Sequence, residues 1–166
     1  MDAIQYYTSI ADSYEKLYRE EQTEKIKTIL KLIVIKKTDR ILDIGEGTGI
    51  LEEQLPGSHI TAVEPSDLAG ILERKKLKNV KIIRSSASDL ELGGKFDVVF
   101  CITVLQDLAP GDREICIKKA FALCRSGGRI AFSLLKASKI DLSALHPDAK
   151  GETANDVFYL FTKTKD

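Results

Sequence analysis

The chain reads as an α/β protein built on a single doubly wound, mostly parallel sheet, and three features of the sequence predict this. From Arg40 onward short apolar runs alternate with helical stretches of roughly ten residues, the pattern of strands joined by crossover helices. The run Phe96 to Thr103 is almost wholly apolar, as expected of a strand covered on both faces. A glycine turn, Gly45-Glu46-Gly47-Thr48-Gly49, follows the first of these strands directly.

Ahead of the sheet, Tyr6, Ile10, Tyr14 and Leu17 recur at threes and fours, predicting a short amphipathic segment with Tyr7 and Tyr18 beside it. Ile26, Ile29, Leu30 and Ile33 repeat at i, i+3, i+4 and i+7 and set a second helix over 22–35. Residues 1–38 thus form a helical cap and 39–166 the sheet, within one domain, because no repeat, low-complexity tract or linker divides them. The first strand, Ile41-Leu42-Asp43-Ile44, leads into a helix from Gly49 to Leu55 that Pro56-Gly57 stops. Further strands are predicted at 59–63, 80–83, 96–103, 129–135 and 157–162, with helices over 67–77 and 113–124. Between Lys136 and Asp156 only about 20 residues remain, room for a brief helical turn over Asp141 to His146 before Pro147. The C-terminal strand region is therefore expected to be shortened.

Composition narrows the function classes. Of the 166 residues 25 are basic and 25 acidic, so no surplus cation exists to neutralise a phosphate backbone. The one basic run, Arg74, Lys75, Lys76, Lys78, Lys81 and Arg84, reads as a solvated face before a local nucleic-acid patch. Apolar runs fall far short of the roughly 20 residues that cross a bilayer, and the polar, tyrosine-rich start lacks a secretion signal. A cytoplasmic protein without membrane attachment is expected. Cys101, Cys116 and Cys124 form no C-x-x-C pair and read as free thiols in apolar positions. His59 and His146 stand near no second ligand type, so no metal site is expected.

In open α/β sheets ligands sit beyond the carboxyl ends of the strands, at the topological switch point. That rule places function in Gly45 to Gly49, Glu64 to Asp67, Ser85 to Asp89 and Cys101 to Leu108. A dinucleotide turn would read G-x-G-x-x-G, but here Ile50 holds its third glycine position. Glu64 also follows Gly49 by only 15 residues, short of the usual interval of about 20.

Leu42-Asp43-Ile44-Gly45-Glu46-Gly47-Thr48-Gly49 instead resembles the first motif of the class I S-adenosylmethionine-dependent methyltransferases. Ala62-Val63-Glu64-Pro65 is similar to their second motif, Phe96-Asp97-Val98-Val99 to the fourth-strand motif, and Leu123 to Ile130 to the turn into strand five. Tyr7, Ile10-Ala11, Tyr14 and Tyr18 resemble the N-terminal helix of the small UbiE-like, or type 11, branch. The resemblance implies the Rossmann-like methyltransferase fold and S-adenosyl-L-methionine as cofactor, released as S-adenosyl-L-homocysteine. It implies that Glu64, followed by Pro65, binds both ribose hydroxyls, a task suited to a charged acceptor with two oxygens. The backbone of Gly45, Glu46, Gly47, Thr48 and Gly49 would pass against ribose and methionine. Asp43 either fixes the turn or a bridging water there, or stabilises the turn without touching ligand. Where the family often carries an acidic adenine contact this chain has Ser86, so Ser86 or Asp89 reads adenine and Ala87 contributes its N–H. Cys101, at the end of strand four, joins the cofactor-binding set.

The acceptor is less legible. After strand four no Asn/Asp-Pro-Pro-aromatic motif appears, by which related enzymes hold planar amino groups of nucleobases or glutamine; this counts against such acceptors without excluding nucleic acid, and a small molecule is favoured over RNA or protein. Gln106 and Asp107 fall just past that strand, either near the transfer site or as a solvent-facing helix start. Tyr7, Tyr14 and Tyr18 either form a lid, since aromatic faces attract the sulfonium cation, or pack on the sheet edge. No catalytic base is assigned. With no inserted substrate domain, recognition falls to the N-terminal helices, the loop after strand four, and a homodimer mate or partner protein completing the acceptor site. The competing reading is a cofactor-binding module that has lost catalysis.

Overall fold

The strands are β1 (Arg40–Ile44), β2 (His59–Val63), β3 (Val80–Ile83), β4 (Phe96–Ile102), β5 (Cys124–Leu135), β6 (Ala149–Glu152) and β7 (Asp156–Thr162). The helices are α1 (Ala3–Leu30), α2 (Ile50–Gln54), α3 (Leu68–Lys75) and α4 (Pro110–Leu123). These come from a computed structural model, which describes residues 2–164. One sheet runs in the order β3-β2-β1-β4-β5-β7-β6. The first five strands pair in parallel, and β7 lies antiparallel between β5 and β6. Because the chain leaves β1 towards β2 on one side and later returns through β4 on the other, the switch point lies between β1 and β4.

Alternation along each strand builds a core on both faces. Leu42, Val99, Cys101 and Phe132 pack on one side with Cys116 and Ala120 of α4. Ile41, Val98, Phe100 and Ala131 pack on the other with Ile26 and Ile29 of α1 and Leu72 of α3. The three cysteines are free and buried, and both histidines are exposed. None of the described helices is long and apolar enough to cross a membrane.

The two helices expected before β1 are one. A capping box starts it: Gln5 N–H donates to Asp2 Oδ1 at 2.8 Å, and Asp2 N–H donates to the Gln5 side chain at 3.3 Å. It ends at Leu30 rather than Ile35, ahead of the β-branched pair Val34-Ile35, and the Asp39 carboxylate takes the Lys36 N–H at 2.8 Å. Helix α4 starts three residues earlier than expected, with Pro110 in its first turn, where its missing N–H costs nothing. The C-terminal region is short, as expected, with only 3-10 turns at Lys136–Ser138 and Ser143–Leu145, yet it keeps the edge strand β6. Ala-Lys-Gly-Glu carries no apolar alternation, so periodicity alone does not reveal that strand.

The basic run divides by partner. Lys75 is paired with Glu15 at 2.5 Å and Glu53 at 2.8 Å, tying α3 to α1 and α2. Arg84 stays on the surface beside Glu73.

Candidate functional site

The site begins where β1 ends. Gly45 N–H and Glu46 N–H both donate to the Val63 carbonyl, at 2.7 and 3.2 Å, so the glycine turn bends over the end of β2. Gly45 needs a φ of +78°, and a Cβ there would run into the Val104 side chain. Gly49, at φ +83°, opens α2 with Leu72 packed where its Cβ would lie. Gly49 therefore closes the turn from behind instead of lining the cleft.

Glu64 ends β2 in the same crevice and organises it. Its carboxylate accepts from Gly47 N–H at 3.2 Å, Ser66 N–H at 2.9 Å and Ser66 Oγ at 2.5 Å. Burial raises its pKa in spite of those three donors. The cleft in front is lined by Gly45, Gly47, Glu64 and Pro65, by Ser85, Ser86 and Ala87 after β3, and by Thr103, Val104 and Asp107 after β4. Ala3, Ile4, Tyr7, Tyr14 and Gln22 of α1 form its outer wall. Ser86 faces this space, while Asp89 stands behind it, accepting from Ser86 Oγ at 2.7 Å. Cys101 does not reach the cleft; it is fully buried, with its sulfur 3.9 Å from that of Cys116.

A smaller recess beneath the turn is lined by Asp43, Glu46 and Thr48. Three carboxyl groups are buried here: Asp43, Glu46 and, unforeseen in the sequence, Glu52 of α2. Burial, then the facing Glu52, hold Asp43 well above the usual carboxylate range. Burial pushes Glu52 up to about 7. Glu46 has no donor on either oxygen among the described residues. Burial, then the charges of Glu52, Glu64 and Asp43, push it up to about 10. At neutral pH Glu46 is a carboxylic acid.

Past β4 the backbone is strained. Thr103 adopts φ +59°, rare for a β-branched residue, and a buried ion pair surrounds its side chain. Lys25 Nζ donates to Thr103 Oγ1 at 2.6 Å and lies 3.0 Å from Asp156 Oδ2; Lys25 is 1% and Asp156 0% exposed. The Thr103 carbonyl accepts from Gln106 Nε2 at 2.7 Å, and the same nitrogen lies 3.2 Å from Asp107 Oδ2. Tyr7 OH donates to that oxygen at 2.9 Å, joining α1 to the segment after β4. Tyr7 packs T-shaped on Tyr14 and Tyr14 tilted on Tyr18, with centroids 6.1 and 5.1 Å apart. Tyr7 and Tyr14 face the cleft, and Tyr18 faces an adjoining groove of about 570 Å³ that they share.

Of the residues expected from sequence, Tyr7, Tyr14, Gly45, Gly47, Glu64, Pro65, Ser86, Ala87 and Asp107 share one cleft, whereas Glu46 and Thr48, expected against the cofactor, line with Asp43 the recess under it. It missed Thr103 and Val104, although both lie in the predicted segment after β4. It also missed Lys25 and Gln22, whose spacing from Ile26 and Ile29 puts them beside the buried stripe of α1.

Comparisons with known proteins place these features in a family. Residues 42–132 match the family described as methyltransferase domain. An uncharacterized methyltransferase of Anoxybacillus flavithermus is 30% identical over 132 residues, 78% of this chain and 62% of that protein. A malonyl-[acyl-carrier protein] O-methyltransferase of Bacillus anthracis is 28% identical over 74% of this chain and 47% of its own length. The chain thus spans between about half and three fifths of these relatives. Magnesium protoporphyrin IX methyltransferase of Synechocystis PCC 6803, solved with bound SAH, shares the fold at a TM-score of 0.81 and 15% identity, covering 97% of this chain and 98% of that one. The match from Leu42 to Phe132 takes in the glycine turn, Glu64 and the whole switch point, and the chain belongs to the methyltransferase domain family.

Proposed function

We propose that the chain transfers the methyl group of S-adenosylmethionine to a small-molecule acceptor. The observation that carries this reading is the Glu64 carboxylate, fixed at the end of β2 by a glycine-turn N–H and opening on a cleft at the switch point. The residues present fit the cofactor. Glu64 offers two charged oxygens for vicinal ribose hydroxyls. Gly47, where a Cβ would meet nothing nearer than the Tyr14 hydroxyl at 3.8 Å, leaves open space in the cleft for close approach to the backbone. Ser86 Oγ and the Ala87 N–H stand on the wall where a base would lie, with Asp89 orienting the serine hydroxyl. The two unpartnered oxygens of Glu46 offer acceptors to a cationic amino group.

When bound, the cofactor supplies an electrophilic methyl on a positively charged sulfur. The work of the chain is then to hold and orient. Rings of Tyr7 and Tyr14 cover the cleft and attract positive charge, while α1 as a whole excludes water from it. Alignment of two bound reactants is worth on the order of 7–11 kcal/mol, enough to carry most of such a displacement. The test is incubation of the purified chain with methyl-labelled cofactor and cell extract separated into metabolites, RNA and protein. Label is expected in the metabolite fraction. Label in RNA or protein alone would overturn the small-molecule reading, and tight cofactor binding with no label anywhere would leave a binding module.

A further inference from the structure

Beside the cleft lies the groove of about 570 Å³, a volume suited to a small organic molecule, and the methyl-transfer reading above says nothing of its occupant. Its inner wall is a run of tyrosines: Tyr6 packs edge-on against Tyr7 at 5.3 Å, and Tyr6 and Tyr18 hydroxyls meet at 3.2 Å. Two carboxylates, Glu21 and Asp107, line it. Its one cation, Lys136, is paired with Glu152 at 2.8 Å. Tyrosine faces and unneutralised carboxylates give the groove a negative potential, which draws cations and repels carboxylates. Tyr7, Tyr14, Gln22, Thr103 and Asp107 border both groove and cleft, so an occupant of the groove meets the cofactor site beside Asp107.

Resting on that methyl-transfer reading, we infer that the acceptor is a small amine and that Asp107 is the catalytic base that takes its proton. An amine enters as the ammonium ion, drawn by the tyrosines, but it has no lone pair until it loses a proton. Asp107 accepts that proton. The nitrogen lone pair then forms the bond to the donated methyl, and the methyl–sulfur bond breaks with its electron pair left on sulfur. The product is the methylated ammonium ion, which takes over the positive charge from sulfur; the leaving group is a neutral thioether, and Asp107 returns its proton to solvent. Asp107 suits the task because Tyr7 OH and Gln106 Nε2 hold the same oxygen, Oδ2, and fix the carboxylate facing the boundary. Burial raises the Asp107 pKa against the lowering effect of those two donors, which makes it a better proton acceptor near neutrality. Burial and then Asp107 push Tyr7 well above its ordinary value, so Tyr7 remains a donor and is not itself the base. Of the other titratable groups around it, Tyr14 is kept protonated by burial, Tyr18 is raised first by its hydrogen bond with Tyr6, and Glu21 and Lys136 stand on the groove wall.

The test uses the purified chain, labelled cofactor, and matched small amines, alcohols, phenols and carboxylic acids on aliphatic and aromatic skeletons. The inference expects amines to be labelled at least about tenfold faster than their oxygen counterparts. Asp107→Asn, which keeps size and polarity, is expected to lower kcat about 10²-fold or more and to flatten its rise with pH, in a variant that calorimetry shows still binds the cofactor. Preferred labelling of alcohols, phenols or carboxylates overturns the amine assignment while leaving methyl transfer standing. Full kcat in Asp107→Asn overturns the base. Absence of cofactor binding in the wild-type chain sinks the underlying reading instead, and with it this one.

Discussion

Raising the pH from about 6 to about 8.5 is expected to destabilise the ligand-free chain by on the order of 3 kcal/mol, and Glu46→Gln is expected to remove most of that loss. The folded chain holds the Glu46 proton up to about pH 10, whereas the unfolded chain releases it near the ordinary value of 4.5. Between those values the folded state carries the extra proton, so stability falls as pH rises, by about 1.4 kcal/mol per unit. Glu52, pushed up to about 7, adds a second fall that levels off above neutrality. Glutamine keeps the shape of Glu46 and is neutral at every pH. The variant should match the wild type near pH 4.5 and exceed it increasingly above pH 6. Urea titrations at a series of pH values measure this, and parallel profiles for the two proteins would refute it. The cost at Glu46 also has a functional side, because a cation bound against it would lower its pKa and recover the stability.

Lys25→Met is expected to cost about 3–5 kcal/mol, since it leaves Asp156 as an unpaired buried charge. Asp156 Oδ2 would keep the Thr103 Oγ1 hydrogen bond at 3.1 Å, but that donor is neutral and Oδ1 lacks a partner among the described residues, so the lost charge is not replaced. For a chain of this size the loss corresponds to a fall in Tm of roughly 6–20 °C. The double variant Lys25→Met, Asp156→Leu is expected to regain most of it, because a buried ion pair gains little over apolar groups of similar volume. Scanning calorimetry of the wild type and the two variants measures the loss and the recovery; a neutral Lys25→Met, or a double variant no better than the single, would show that the pair does not anchor α1 to β7. The same lysine holds Thr103 Oγ1, so the pair also helps keep the strained residue that leads to Gln106 and Asp107.

How much was legible from residues alone follows from what each signal rests on. The sheet was readable because β1, β2 and β4 are apolar runs cut by glycine or polar turns, and burial on both faces forces that pattern. The cleft was readable because strand ends at a switch point converge, so Gly45, Glu64, Ser86 and Asp107 had to meet. Edge strand β6 was not, since an exposed strand has no apolar face to display. Cys101 was assigned to the cofactor by its place at a strand end, but alternation points its side chain into the α4 layer. Lys25 and Asp156 lie far apart in sequence, and only the packing of α1 against β7 makes them partners. Glu52 reads as an ordinary polar residue of a short helix until the turn brings it onto Asp43.

On the proposed function, Glu64 and the glycine turn form the site for S-adenosylmethionine. Titration calorimetry of that molecule into the wild-type chain and into Glu64→Ala tests it most directly. Saturable binding by the wild type is expected, weakened in the variant by about 1.5–3 kcal/mol, roughly 10- to 150-fold in Kd. A folded Glu64→Ala that binds with unchanged affinity, or a wild-type chain that does not bind at all, would contradict it.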